Sequence, residues 1–204
     1  MPQPDQHLPL TDVRRHAARL TRESEAEIAE LVYDAGREFY DCFAVPRARL
    51  LDAIAAQVLR SGTELSGTHA LWSGEHVDGI VSTVEADELR RAQTVSVAHL
   101  LRQLTASERE RAMVRLGEHS ALIEPIPPEG VYVARFAVQP QQRGRGLGRR
   151  LLAWVCDAFE DQTLTLHINR ANEAAVRLYE RCGFQRLSDE GFGFPAYVRR
   201  PRRQ

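Results

Sequence analysis

Apolar residues return at helical intervals in some stretches of this chain and alternate or cluster as strands in others. Ile28, Leu31, Val32 and Ala35 follow Thr21-x-x-Ser24 at helical spacing and stop at Gly36, which predicts a helix. Val13 to Leu20, ahead of it, reads as a first strand. A second helix is expected from Pro46, through Leu50, Leu51, Ile54, Val58 and Leu59, to Gly62. His69 to Trp72 and Ile80 to Val84 flank Ser73–Gly79 and read as a hairpin with a glycine-containing turn.

From Ala86 to about Ala121 the period becomes helical again, with Val97, Leu100, Leu101 and Leu104, then Thr105-x-x-Glu108 as a capping box, then Met113, Val114 and Leu116. This is a helical pair. The three prolines between Ile123 and Gly130 exclude regular structure there. Val131 to Val138 is a β-rich run stopped by Pro140, and Leu147, Leu151, Leu152, Val155 and Phe159 give an amphipathic helix after a glycine loop. Leu164 to Ile168 reads as a strand, Asn172 to Gly183 as a short helix, and Phe184–Leu187 and Ala196–Arg199 as final strands. The order predicts an α/β fold with a mixed sheet flanked by helices and a helical insertion, about 86–121, between the third and fourth strands.

At 204 residues the chain suits one domain, expected over 12–200 with a loose polar tail at 1–11 and another at 201–204. Its 27 basic and 28 acidic residues give a net charge of -1, so no overall field favours nucleic acid or an anionic membrane. Every basic residue is Arg, which makes Arg at any one place weak evidence; the terminal Arg199-Arg200-Pro201-Arg202-Arg203 reads as a solvated tail. Cys42, Cys156 and Cys182 are far apart and form no metal-ligand spacing, which suits a reducing cytosol and no metal. No leader and no membrane span is expected, so the reading is cytoplasmic.

The chemistry concentrates in Arg143-Gly144-Arg145-Gly146-Leu147-Gly148. Alternate glycines bring several backbone N–H groups to one anion at the positive end of the following helix, and a diphosphate is the obvious guest. The loop lacks the Gly-Lys-Ser/Thr of a P-loop and reads G-x-G-x-G rather than G-x-G-x-x-G, which weakens both nucleotide readings. Alone it is equally an exposed turn or an RNA-contact segment.

Val138-x-Pro140-x-x-Arg143-Gly144-x-Gly146-x-Gly148, followed by Asn172-x-x-Ala175-x-x-Leu178-Tyr179-Glu180-x-x-Gly183-Phe184, resembles the GNAT superfamily of acyl-CoA-dependent N-acyltransferases. The resemblance covers about Phe136 to Phe184 and implies a partly splayed central sheet with acetyl-CoA as co-substrate and no metal. It further implies that backbone groups of Phe136, Ala137 and Val138 pair with the pantetheine arm. The amides of Arg143 to Gly148 would hold the pyrophosphate, helped by the side chains of Arg143, Arg145 and Arg149. Asn172 would bind the cofactor arm, and Tyr179 would be the acid that protonates the thiolate. Phe39, Tyr40 and Trp72 lie where the family usually builds its acceptor pocket, and core packing explains them equally well.

The reaction this implies is transfer of an acetyl group to a primary amine of a small molecule or peptide, by direct attack. A cysteine-bound intermediate is disfavoured, since Cys182 has no evident His partner. Many family members place a base carboxylate on the strand before the loop, but this strand offers only Arg135. Glu85, His119, Glu124 and His167 remain as alternatives, and none stands out. The missing carboxylate keeps open a non-catalytic acyl-CoA-binding or sensing module, and the Arg loop a nucleic-acid-binding domain. The helical insertion would roof the pocket, extend the fold or form a subunit contact, the last implying a homodimer.

Overall fold

A computed structural model describes residues 10–201. The tails expected at 1–11 and 201–204, with Arg202 and Arg203, therefore lie largely outside the described residues. Strands β1 (Thr11–Asp12), β2 (Thr68–Ser73), β3 (His76–Glu85), β4 (Val131–Val138), β5 (Leu164–His167), β6 (Gln185–Arg186) and β7 (Ala196–Arg199) form one sheet in the order β1-β2-β3-β4-β5-β7-β6. Every pairing is antiparallel except β4 with β5.

The helices are α1 (Arg22–Ala35), α2 (Arg37–Asp41), α3 (Arg47–Val58), α4 (Leu89–Leu101), α5 (Ala106–Ser120), α6 (Leu147–Ala158) and α7 (Glu173–Arg181). The expected capping box of α5 forms, and α1 has one as well. Thr105 Oγ1 accepts from the Glu108 amide while the Glu108 carboxylate accepts from the Thr105 amide, and Thr21 and Ser24 do the same at α1. Pro46 stands just outside α3, at its N-cap, and α3 ends before Gly62.

Val13 to Leu20 is not a strand. Only Thr11 and Asp12 pair with β2, and Arg14–Arg19 is a 3-10 turn. Asp12 Oδ1 accepts from the Arg14 amide at 2.9 Å and so turns the chain out of the sheet. The short α2, which carries Phe39 and Tyr40, has no periodicity of its own in the sequence and follows α1 directly.

The sheet packs apolar side chains on both faces. Ile80 and Ala137 join α1 and α3, whereas Val81, Val131, Val133 and Val138 join α6. On β4 this requires a break in the two-residue period. Ser82 of β3 pairs with Arg135 and Thr83 pairs with Val133, which leaves Ala134 as an extra, bulged residue. Odd positions Val131 and Val133 before the bulge and even positions Phe136 and Val138 after it therefore face α6 together. Arg135 is turned to the opposite side.

β4 and β5 touch only at their beginnings, where Val131 pairs with Leu164 and Tyr132 with Thr165. Gly130 fixes that contact. Its φ is +85°, and a Cβ there would lie 2.1 Å from the Thr163 carbonyl oxygen, which accepts from the Val131 amide at 2.8 Å. Beyond Tyr132 the two strands diverge, and the sheet splays.

Candidate active site

The splay opens a cavity of about 870 Å³ that runs from the glycine loop, past β4 and Tyr179, to Phe39, His119 and Phe194. One wall is the free side of β4. Gln139 donates its amide to the Asp78 carbonyl of β3 at 2.8 Å, so the amide of Val138 points the other way, into the splay. The same alternation turns the backbone of Phe136 into the splay and commits that of Ala137 to the ladder with Ile80. Of the three strand residues expected to offer backbone groups, Phe136 and Val138 are therefore the ones with groups to offer.

The glycine loop closes one end. Gly144 and Gly146 have φ of +77° and +80°, a left-handed backbone that other residues adopt at a cost of about 1–2 kcal/mol. Gly146 caps α6 without any side-chain hydrogen bond, so the amides of Leu147, Gly148 and Arg149 have no partner within the helix and sit at its positive end. Arg143 Nε donates to the Val138 carbonyl at 3.0 Å, and Arg145 donates to Gln142 Oε1 at 3.0 Å, which ties the loop to the end of β4. Arg149 is exposed at the start of α6. Three orphan amides and three guanidiniums give this end the character of a phosphate site.

Tyr179 lies on α7, edge-on to Phe136 at 5.7 Å between ring centroids and to Phe184 at 5.6 Å. Its ring is buried and lines the cavity, and its hydroxyl has no hydrogen bond among the described residues. Burial holds its pKa well above the ordinary tyrosine value, so the phenol keeps its proton at neutral pH. Asn172 Oδ1 accepts from the Ala175 amide at 3.1 Å and so caps α7, which leaves its Nδ2 for a ligand.

The other end is aromatic. Phe39, His119 and Phe194 gather there from α2, α5 and the segment before β7. Beneath them Arg135 Nη2 donates to Glu64 Oε1 at 2.7 Å, and burial, which opposes a charge, is outweighed by Glu64 so that the guanidinium stays protonated. Glu64, on the loop before β2, carried no signal in the sequence.

Two residues expected at an acceptor pocket do not line this cavity. Trp72 is on β2, two strands away from the splay, where its Nε1 donates to Thr11 Oγ1 at 2.7 Å. Tyr40 is fully buried behind Phe39, stacked on Tyr33 at 5.7 Å, and its pKa is pushed up to about 12 by burial. Phe39 alone of the three faces the opening.

The possible bases are unequally free. His167 has both ring nitrogens engaged, Nδ1 with the Tyr132 hydroxyl at 2.9 Å and Nε2 with the Glu124 carbonyl at 2.6 Å. Glu124 is buried and accepts from Ser188 Oγ and from the Ala196 amide, which anchors the start of β7. Glu85 ends β3 and lies outside the cavity. Cys182 is half-buried, and burial raises its thiol pKa, which works against a thiolate nucleophile. Among the described residues no helix is long and apolar enough to cross a membrane.

Comparison with known proteins agrees with this geometry. Residues 108–184 match the Acetyltransferase (GNAT) family. A mycothiol acetyltransferase of Geodermatophilus obscurus is 31% identical over 184 residues, covering 83% of this chain and 57% of that protein. The N-alpha-acetyltransferase RimI of Mycobacterium tuberculosis is 39% identical over 61 residues, covering 30% of this chain and 39% of the relative. This chain thus spans less than two thirds of the length of the curated relatives it matches. An N-acetyltransferase from Staphylococcus aureus Mu50 shares the fold with a TM-score of 0.69 at 17% identity, over 88% of this chain and 97% of its own. The PaiA N-acetyltransferase of Thermoplasma acidophilum, solved with coenzyme A, aligns at a TM-score of 0.50 and 9% identity, over 94% and 98%. With a family match over residues 108–184, a splayed sheet and a glycine loop at the head of α6, the chain carries a segment similar to the GNAT acetyltransferases within a fold shared with a solved N-acetyltransferase.

Proposed function

We propose that this chain transfers an acetyl group from acetyl-CoA to the primary amine of a small molecule or peptide, by direct attack in a ternary complex. The observation that carries this reading is one continuous cavity with an anion-binding head, an unbonded tyrosine hydroxyl at its middle and an aromatic far end. The orphan amides of α6 and the side chains of Arg143, Arg145 and Arg149 would hold the pyrophosphate. The Phe136 and Val138 backbone and Asn172 would hold the arm, and Phe39 would bound the acceptor. Relatives named as a mycothiol acetyltransferase and as an N-alpha-acetyltransferase support an acceptor of either kind.

The acyl donor supplies an activated carbonyl, and the protein's own work is to position and stabilise. The Val138 amide, which faces the splay, would donate to the developing oxyanion; losing such a donor costs about 2.7–4 kcal/mol in other acyl-transfer enzymes. Tyr179 holds the proton that the departing thiolate needs. The test is thiol release from acetyl-CoA with a panel of small amines and peptides with free N-termini. Gly146→Glu, which puts a side chain and a negative charge at the head of α6, should abolish acetyl-CoA binding. Tight binding with no turnover on any amine would favour a non-catalytic acyl-CoA sensor instead.

A further inference from the structure

We propose that His119 is the general base that takes a proton from the acceptor ammonium, an inference that rests on the acyltransferase reading. An alkylammonium has a pKa near 10.4 and cannot attack until it loses a proton. A base must therefore stand at the acceptor end of the cavity. The carboxylates and the other imidazole at this cavity are committed elsewhere. Glu64 is pinned by Arg135, Asp34 accepts from Arg37 and Arg47, Glu38 accepts from Asn169 Nδ2 at 2.6 Å, and both nitrogens of His167 are bonded.

His119 differs on each count. It comes from the last turn of α5, lines the cavity, and has no hydrogen bond to either ring nitrogen among the described residues. Phe194 holds its ring edge-on at 4.8 Å, and Phe39 lies at 6.3 Å. Charged groups face it from α2, where Glu38 favours the imidazolium, and from β4, where Arg135 opposes it; the segment before β7 contributes only Phe194. Arg115 and Glu118 are its charged neighbours on α5 itself. Burial outweighs Glu38 and lowers the pKa below its ordinary 6.5, so the ring is neutral at pH 7 and able to accept a proton. The helical insertion thereby supplies the base that β4 lacks.

The proton balance closes. The ammonium gives one proton to His119, which holds it while the C–N bond forms and passes it to solvent afterwards. The free amine forms the C–N bond and the C–S bond breaks. The second proton lost by nitrogen replaces the one that Tyr179 gives to sulfur. The net products are the amide, the thiol of coenzyme A and one released proton.

The test compares wild type with His119→Gln on two acceptors of similar size, ethylamine and the far less basic aminoacetonitrile, by thiol release from acetyl-CoA across pH 6–9. With ethylamine, kcat/KM of the wild type should be flat from pH 7 to 9. His119→Gln should be slower by about a hundredfold at pH 7 and rise about tenfold per pH unit, following the free amine. With aminoacetonitrile, already deprotonated at pH 7, the two proteins should agree within about twofold, as should their KM for acetyl-CoA. An equal loss on both amines, or no loss on either, overturns the assignment of His119. Where only other members of the panel above turn over, the same comparison is made on a strongly and a weakly basic member of it; wild type that releases no thiol with any of them overturns the acyltransferase reading, and the proposal with it.

Discussion

Glu64 and Arg135 form an ion pair at 2.7 Å under the aromatic end of the cavity, with their side chains only 3% and 9% exposed. A guanidinium therefore stands on the strand where a base carboxylate was sought, and its charge is already matched. Removing one member of such a pair strands the other in a water-poor site. Glu64→Gln should destabilise the fold by about 3–5 kcal/mol, read from urea unfolding. Glu64→Met combined with Arg135→Met should recover most of that loss, since neither charge then remains to be buried.

Glu38 and Asn169 join α2 to the turn after β5, on opposite sides of the splay. The bond lies beside Phe39 and His119, far from the glycine loop in sequence and on the acceptor side of Tyr179. An exposed hydrogen bond of this kind is worth about 0.5–1.5 kcal/mol. Asn169→Ala should therefore raise the KM for the amine roughly two- to tenfold and leave that for acetyl-CoA unchanged.

Acid should weaken the fold through its neutral histidines. Burial lowers the pKa of His167, and its neutral tautomer accepts at Nδ1 from Tyr132 and donates at Nε2 to Glu124. Between the unfolded value of about 6.5 and the lower folded value, the unfolded chain binds more protons, so stability rises with pH. It is fully present above pH 6.5 and is lost as pH falls through the folded value. Burial shifts His99 and His119 in the same direction, and the opposite shift of His76, caused by its hydrogen bond to Glu27, occurs on an exposed ring. Thermal melting should show Tm constant from pH 8 to 7 and falling toward pH 5. His167→Gln, which can keep an acceptor and a donor, should make that fall shallower.

The glycine-loop half of the cavity was legible because its signals are local. Glycines at 144, 146 and 148, Asn172 as a cap and Tyr179 on the same short helix each depend on neighbours within a few positions. The capping box of α5 was legible for the same reason. The acceptor half depends on long-range contacts. Glu64 and Arg135 are 71 positions apart, and His119 meets Phe39 and Phe194 only after the sheet has formed. The bulge at Ala134 left no trace either, because an extra residue inside an unbroken apolar run changes neither composition nor length enough to mark it. Trp72 was misplaced for a related reason: strand order, not position in the chain, decides which strand borders the splay.

Acetyl transfer with Tyr179 as the acid is tested most directly by coenzyme A release from Tyr179→Phe, compared with wild type on any amine the wild type acetylates. The substitution removes one hydroxyl and keeps the ring that packs on Phe136 and Phe184. The expected result is a kcat lower by about 100-fold or more, with the Kd for acetyl-CoA within about twofold of wild type. Unchanged turnover in Tyr179→Phe would contradict that role.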